Sequence, residues 1–290
     1  MFDMRRRDFI IMLGGAATVW PLAARAQSTA TRPLIGVLSP LSASAATRNI
    51  SAFRSGLRDL GYTEGRNMTL ALYYGDGDLE RMTPLARQLV ALNPDVIVAG
   101  AQSGGVAARS ATRTIPIVAL TAEDPVRSGF AQSIARPSGN ITGTWVLGSD
   151  ALVGKRLDFL KLAAPGLARV GAILNPDDPT DGVQIAQMPA AARALGLTLQ
   201  VIGVRDATKL DNVAAEVERA GIQGLYVGQG PMLNSARREI AALVVRLKLP
   251  AIYGFREFAD AGGLISYGPN LPELYRQSAR LVDRILRPSV

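Results

Sequence analysis

Short apolar runs alternate with amphipathic stretches along most of this chain. Leu34-Ile35-Gly36-Val37-Leu38 is continuously apolar up to Ser39-Pro40, which predicts a buried strand. Ile50, Phe53, Leu57 and Leu60 then recur at helical spacing, and Gly61 supplies the stop signal. The same reading predicts strands at Met68–Tyr74, Asp95–Ala99 and Ile117–Leu120. Helices are predicted around Met82–Leu92 and Val106–Ala111. This alternation of strand and helix is the signature of an α/β fold.

The order then recurs. Val170–Leu174 is a second buried strand, stopped by Asn175-Pro176. Ala190–Leu195 ends a helix at Gly196, and Leu197–Val204, Gly224–Val227 and Ala251–Tyr253 read as later strands. Landmarks match at a nearly constant offset. Gly36 and Gly171 lie 135 positions apart, as do Gly61 and Gly196, while Pro116 and Pro250 lie 134 apart. Two Rossmann-like lobes with parallel sheets are therefore expected, joined by a hinge with a cleft between them. Asn140–Trp145 lies between the halves, and it reads as a crossing strand with Gly143 and Thr144 in the hinge. Domain limits follow as 1–26, 27–143 and 144–290, the last ending by crossing back toward the first lobe.

Residues 1–26 have a different character. Arg6-Arg7-Asp8-Phe9-Ile10 sets an arginine pair, a spacer and two apolar residues before a hydrophobic run that stops at Pro21. That run is about a dozen residues, short of the about 20 needed to span a bilayer. Ala24-Arg25-Ala26 fits a small-x-small cleavage pattern, so a twin-arginine-type leader cut before Gln27 is expected. No cysteine follows for a lipid anchor, which predicts a protein free in the periplasm. Of the 32 Lys and Arg, four lie in the leader, with two of the 24 Asp and Glu, leaving a mature charge of +6. The basic residues are scattered, which argues against nucleic acid as a partner. No apolar stretch after the leader is long enough for a membrane span. The chain has no Cys and no His. Thiolate metal sites, thiol nucleophiles, imidazole bases and Ser-His-Asp triads are thereby excluded, and neither an enzyme nor a cofactor is expected.

Several motifs then carry a family resemblance. They include Phe53-x-x-Gly56-Leu57-x-x-Leu60-Gly61-Tyr62-x-Glu64-Gly65-x-Asn67, Pro94-Asp95-Val96-Ile97-Val98 and Ala111-Thr112-x-x-Ile115-Pro116-Ile117-Val118. Asp124-Pro125-Val126, Ala135-Arg136-Pro137-x-Gly139-Asn140-Ile141-Thr142-Gly143, Lys155-Arg156-Leu157, Phe258-x-x-Ala261-Gly262-Gly263 and Ser266-Tyr267-Gly268 extend it over the mature length. Together they resemble the ABC-transporter substrate-binding family that includes tryptophan-binding members. The resemblance implies a type I periplasmic-binding-protein fold, a small and possibly amino-acid-like ligand held between two lobes, and a membrane permease as partner. A monomer is expected. The family pattern continues roughly a few dozen residues past the helix that ends at Arg287, whereas this sequence stops at Val290.

In sheets of this kind, ligands sit beyond the carboxyl ends of the strands. That rule nominates Ser39, Gln102, Ser103, Thr121, Glu123 and Asp124 in the first lobe. In the second it nominates Asn175, Asp177, Gln229, Tyr253 and Tyr267. Ser103-Gly104-Gly105 offers a hydroxyl and N–H donors before a helix, suited to a carboxylate. Glu123-Asp124 could hold an ammonium, although Asp124-Pro125 also reads as a turn initiator. Gly228-Gln229-Gly230 opens like a dinucleotide loop, but position 233 is Leu where the third glycine belongs. Two rival functions stay open: a periplasmic sensor module built on the same lobes, and a hydrolase using Ser103 that would lack a histidine base.

Overall fold

The computed structural model describes residues 32–121, 124–133, 139–145 and 149–287. The expected leader lies outside these residues. The first sheet contains β1 (Leu34–Ser39), β2 (Thr69–Tyr74), β3 (Val96–Gly100), β4 (Ile117–Thr121) and β5 (Ile141–Trp145). All are parallel, in the order β2-β1-β3-β4-β5. The second contains β6 (Arg169–Leu174), β7 (Thr198–Gly203), β8 (Gly224–Val227), β9 (Ala251–Tyr253) and β10 (Ile265–Ser266). It too is parallel, in the order β10-β9-β8-β6-β7. Counted from its own first strand, each sheet has the same order.

Both sheets are covered on both faces, which is why their strands are apolar runs without alternation. In the first lobe α1 (Ala43–Asp59) packs on one face, with α2 (Met82–Ala91) and α3 (Ala101–Ala111) on the other. In the second, α4 (Ser149–Ala163) and α5 (Pro179–Ala194) share a face, while α6 (Asp211–Ala220), α7 (Pro231–Ser235) and α8 (Arg237–Leu247) take the other. The short helix α9 (Arg256–Asp260) follows β9.

The repeat extends to local geometry. α1 and α5 both end on a leucine cap and a left-handed glycine, Gly61 at φ 89° and Gly196 at φ 64°. Tyr62 N–H then bonds Leu57 O, and Leu197 N–H bonds Ala192 O, at 2.9 Å in each case. This closure satisfies the last carbonyls of a helix.

One element differs from the sequence reading. Helix α3 begins at Ala101, five residues before the predicted start, so Ser103-Gly104-Gly105 forms helix and not the loop ahead of it. The glycines serve packing there: a Cβ on Gly105 would lie 2.7 Å from the Phe130 ring. Asn140–Trp145, read as a crossing strand, supplies β5 at the edge of the first sheet. Gly143 and Thr144 pair in register with Ala119 and Leu120 within that sheet.

The final helix, α10 (Leu271–Leu286), leaves the second lobe after β10 and packs on the first. Tyr275, Ser278, Ala279 and Val282 form its buried stripe. Range 144–290 is therefore divided between the lobes, with 267–270 as the crossing. α10 meets α1 at Gly56, where a Cβ would stand 2.6 Å from Arg276 O and 2.9 Å from Ala279 Cβ. Arg276 also pairs with Asp59 at 2.7 Å, and Tyr62 Oη donates to Asp283 at 2.9 Å.

Candidate functional site

The lobes touch directly at several points. Ser42 N–H, at the start of α1, donates to Ser235 Oγ of α7 (3.2 Å). Arg48 pairs with Asp260 across the gap. Gly77 presses on the start of α7 so closely that a Cβ there would lie 2.9 Å from Met232 Cα. Beside these contacts and the 267–270 crossing lies a small void lined from both lobes. The first lobe lines it with Pro40, Leu41, Asn49, Ala101, Leu120 and Thr121. The second contributes Thr180, Gln229, Pro231, Asn234 and Phe255, and the returning chain adds Pro269, Leu271, Leu274 and Tyr275. Another void, along β5, is lined from the first lobe alone.

The lining is mostly apolar, with a few polar groups facing inward. Asn49 on α1 and Asn234 on α7 come from opposite lobes and are each only 2% exposed. Neither Oδ1 has a hydrogen-bond partner among the described residues. Such a group carries an uncompensated desolvation cost unless a bound molecule pairs with it. Ala101 opens α3 at φ 56°, a strained value for a residue with a Cβ. Its neighbour Gly100 caps the helix without a side-chain bond, and the first turn holds no acidic residue. Ala101, at the start of this helix, lines the void, and a helix N-terminus is a setting that favours an anion. None of the described lining residues is Asp, Glu, Lys or Arg.

Among the residues nominated from sequence, Thr121 and Gln229 line the void. Gln102 stands behind Thr121, accepting its hydroxyl at 2.7 Å. Ser39 is buried and engages Tyr275, whose hydroxyl burial pushes up to about 12. Ser103 lies in the first turn of α3, its Oγ buried and without a partner among the described residues. Asp124 accepts Val126 N–H at 2.7 Å and Arg127 N–H at 3.3 Å, the turn-capping role. Glu123 lies outside the described residues.

In the second lobe Asn175 Oδ1 accepts Asp177 N–H at 3.1 Å, and Asp177 itself pairs outward with Arg205 at 2.8 Å. Tyr253 is fully buried in the core, stacked on Phe258 with centroids 4.8 Å apart. Tyr267 is partly exposed and packs edge-on against Phe159 at 4.9 Å. The strand-end rule missed Asn49, Asn234, Phe255 and Tyr275. Asn49 had left a signal: it continues the Ala45–Asn49–Phe53 progression as a polar residue on an apolar helix stripe. Among the described residues no cluster of three or more His, Cys, Asp or Glu is placed to hold a metal. No described helix is long and apolar enough to cross a membrane.

Comparison with known proteins gives this geometry its context. Residues 34–289 match the family model of the ABC transporter substrate binding protein. A tyrosine-binding protein of Clostridioides difficile (strain R20291) is 24% identical over 235 residues, 81% of this chain and 67% of that protein. A conserved domain protein from Vibrio cholerae O1 biovar El Tor superposes with a TM-score of 0.81 at 23% identity, covering 89% of this chain and 86% of that one. An ABC domain in complex with L-Trp from Streptococcus pneumonia gives a TM-score of 0.79 at 20% identity, with the same coverage. The solved structures place the two lobes in the type I periplasmic-binding-protein fold.

Proposed function

Because this chain belongs to the ABC transporter substrate-binding protein family, we propose that its interlobe void captures a small, amino-acid-like solute in the periplasm for delivery to a membrane permease. The observation that carries this reading is the void itself. It is built from both lobes, bordered by direct contacts between them, and faced by two buried amide oxygens with no partner among the described residues. An apolar side chain would lie among Leu41, Leu120, Phe255 and Leu274, and a carboxylate would meet the first turn of α3. The relatives named for tyrosine and L-Trp are compatible with a lining of this kind.

Micromolar affinity corresponds to about 8 kcal/mol. Burying about 150 Å² of apolar ligand surface supplies roughly 4 kcal/mol at 25 cal/mol per Å². Several hydrogen bonds at about 1 kcal/mol each contribute most of the rest. The protein acts by binding and not by turnover: it has no His or Cys, and Ser103 sits in a helix turn. It works as a monomer, freed from its leader after export. Calorimetric titration with L-tryptophan, L-tyrosine and the remaining amino acids tests the ligand class, and absence of binding by all of them rejects it. Replacing Arg6 and Arg7 by Lys should leave unprocessed precursor in the cytoplasm. Normal export of that variant rejects the twin-arginine route.

A further inference from the structure

Gly228-Gln229-Gly230 is not a nucleotide loop, yet its glycines are demanded by something. A Cβ on Gly228 would lie 2.6 Å from Asp181 Oδ1, and one on Gly230 would lie 2.6 Å from Asp181 Oδ2. The Asp181 carboxylate, fully buried on α5, is seated in this loop. Oδ1 accepts the N–H groups of Gln229 and Gly230 at 2.9 Å each, and Oδ2 accepts Asn175 N–H at 2.9 Å. Gln184 Nε2 also donates to Oδ1 at 3.0 Å.

The chain of bonds continues. Gln184 Oε1 accepts Tyr226 Oη at 2.6 Å and Arg156 Nη1 at 3.3 Å. Arg156, also fully buried, donates through Nη1 to Tyr226 Oη at 2.8 Å. Its Nε donates to Tyr267 O at 2.6 Å, where the chain begins its crossing to α10. One end of this network therefore holds Gln229, Gly230 and Thr180, next to the void. The other end holds the interlobe crossing.

We propose that Asp181 is the positioning residue of the ligand cleft, tying the 228–231 loop through Gln184 and Arg156 to the 267–270 crossing. This inference rests on the interlobe void being the ligand site. A solute that orders the loop then also fixes the crossing, and the Gly-x-Gly sequence exists to admit the carboxylate.

Four N–H donors around one carboxyl suit its ionised form. Burial, joined by Asp178 one turn earlier, pushes Asp181 up to about 7 against the pull of its backbone amides. The charged and titratable groups around it are Asp178, which caps α5, Arg156 on α4 through Gln184, and Tyr226 on β8. Arg109, on the helix across the cleft, is engaged with Gly129 O. Because the folded value is raised, the stability contributed by this group is present in acid and lost as pH rises toward 7. Positioning follows the opposite trend, since it needs the carboxylate. Without His or Cys in the chain, few other side chains titrate between pH 6 and 8.

The test combines amide hydrogen exchange with calorimetric titration of L-tyrosine and L-tryptophan at pH 6 and pH 8. Wild type, Asp181→Asn and Arg156→Met are compared as full mature chains. Wild-type affinity should be about tenfold lower at pH 6 than at pH 8, the equivalent of roughly one hydrogen bond, and Asp181→Asn should be weak at both. Exchange should accelerate at both 228–231 and 267–270 in each variant. Acceleration confined to the segment nearest the substitution overturns the coupling, as does a pH-independent wild-type affinity. If neither amino acid binds wild type, the ligand class fails while exchange still decides the network. Should Asp181→Asn not fold, Gln184→Met removes the bonds to Asp181, Tyr226 and Arg156 while the three backbone N–H donors to the carboxylate remain. Unchanged exchange at 267–270 in that variant overturns the proposal.

Discussion

Asn49 and Asn234 approach the same void from opposite lobes, each with an amide oxygen that no described group bonds. An unpaired buried polar atom costs about 1–3 kcal/mol. Replacing either residue by Leu removes that cost together with the proposed contact to ligand. Ligand affinity should fall at least about tenfold, while the melting temperature in the absence of ligand holds or rises. Titration and thermal melts on the same preparations check this, and a matching loss of both would mark the residues as structural. At this scale the sequence was partly readable. Thr121 and Gln229 emerge from the strand-end rule because a parallel sheet always directs its carboxyl ends toward the cleft. Tyr253 obeys the same rule by position, yet its ring turns into the core against Phe258. Which way a side chain faces depends on neighbours that strand spacing does not specify.

Elements were easier to read than residues, because both sheets are buried on both faces and their strands stand out as apolar runs. Helix ends were harder. The start of α3 reads as a loop because glycine is a poor helix former, but Gly104 and Gly105 lie where other elements press on the helix. Contact with Leu38 and Phe130 decides the conformation there, and propensity does not. Gly56 on α1 is the same kind of position. Gly56→Ala improves helix propensity by about 1 kcal/mol, yet its Cβ would stand 2.6 Å from a backbone carbonyl of α10 that cannot swing aside. A net loss of about 1–3 kcal/mol is expected, as for other overpacked sites, and urea denaturation measures it. Ligand affinity should fall too, since Leu271, Leu274 and Tyr275 of the displaced helix line the void.

The duplicated pattern predicts two lobes but not how the chain divides between them. In the second lobe, α4 precedes the first strand of its own sheet and packs on α5. The corresponding place in the first lobe is taken by α10 from the far end of the sequence. The lobes are thus linked by the 267–270 crossing and by the contacts that Ser42, Arg48 and Gly77 make with the second lobe. Closure of such a pair is a two-state equilibrium that ligand shifts only through contacts made in the closed form. Gly77, at φ 83°, offers a direct test. A Cβ added there would meet the backbone of Met232 at 2.9 Å, so Gly77→Ala disfavours the closed form by steric contact, while its left-handed strain costs both forms. Affinity should drop about tenfold or more, and small-angle scattering with saturating ligand should retain a larger radius of gyration than wild type. Arg48→Ala removes only an exposed ion pair, with side chains 60% and 40% accessible. Such pairs contribute about 0–1 kcal/mol, so affinity should change less than about fivefold. Equal effects from the two substitutions would place the closing force in charge instead of backbone fit, and would rule out Gly77 as the point that sets how far the lobes approach.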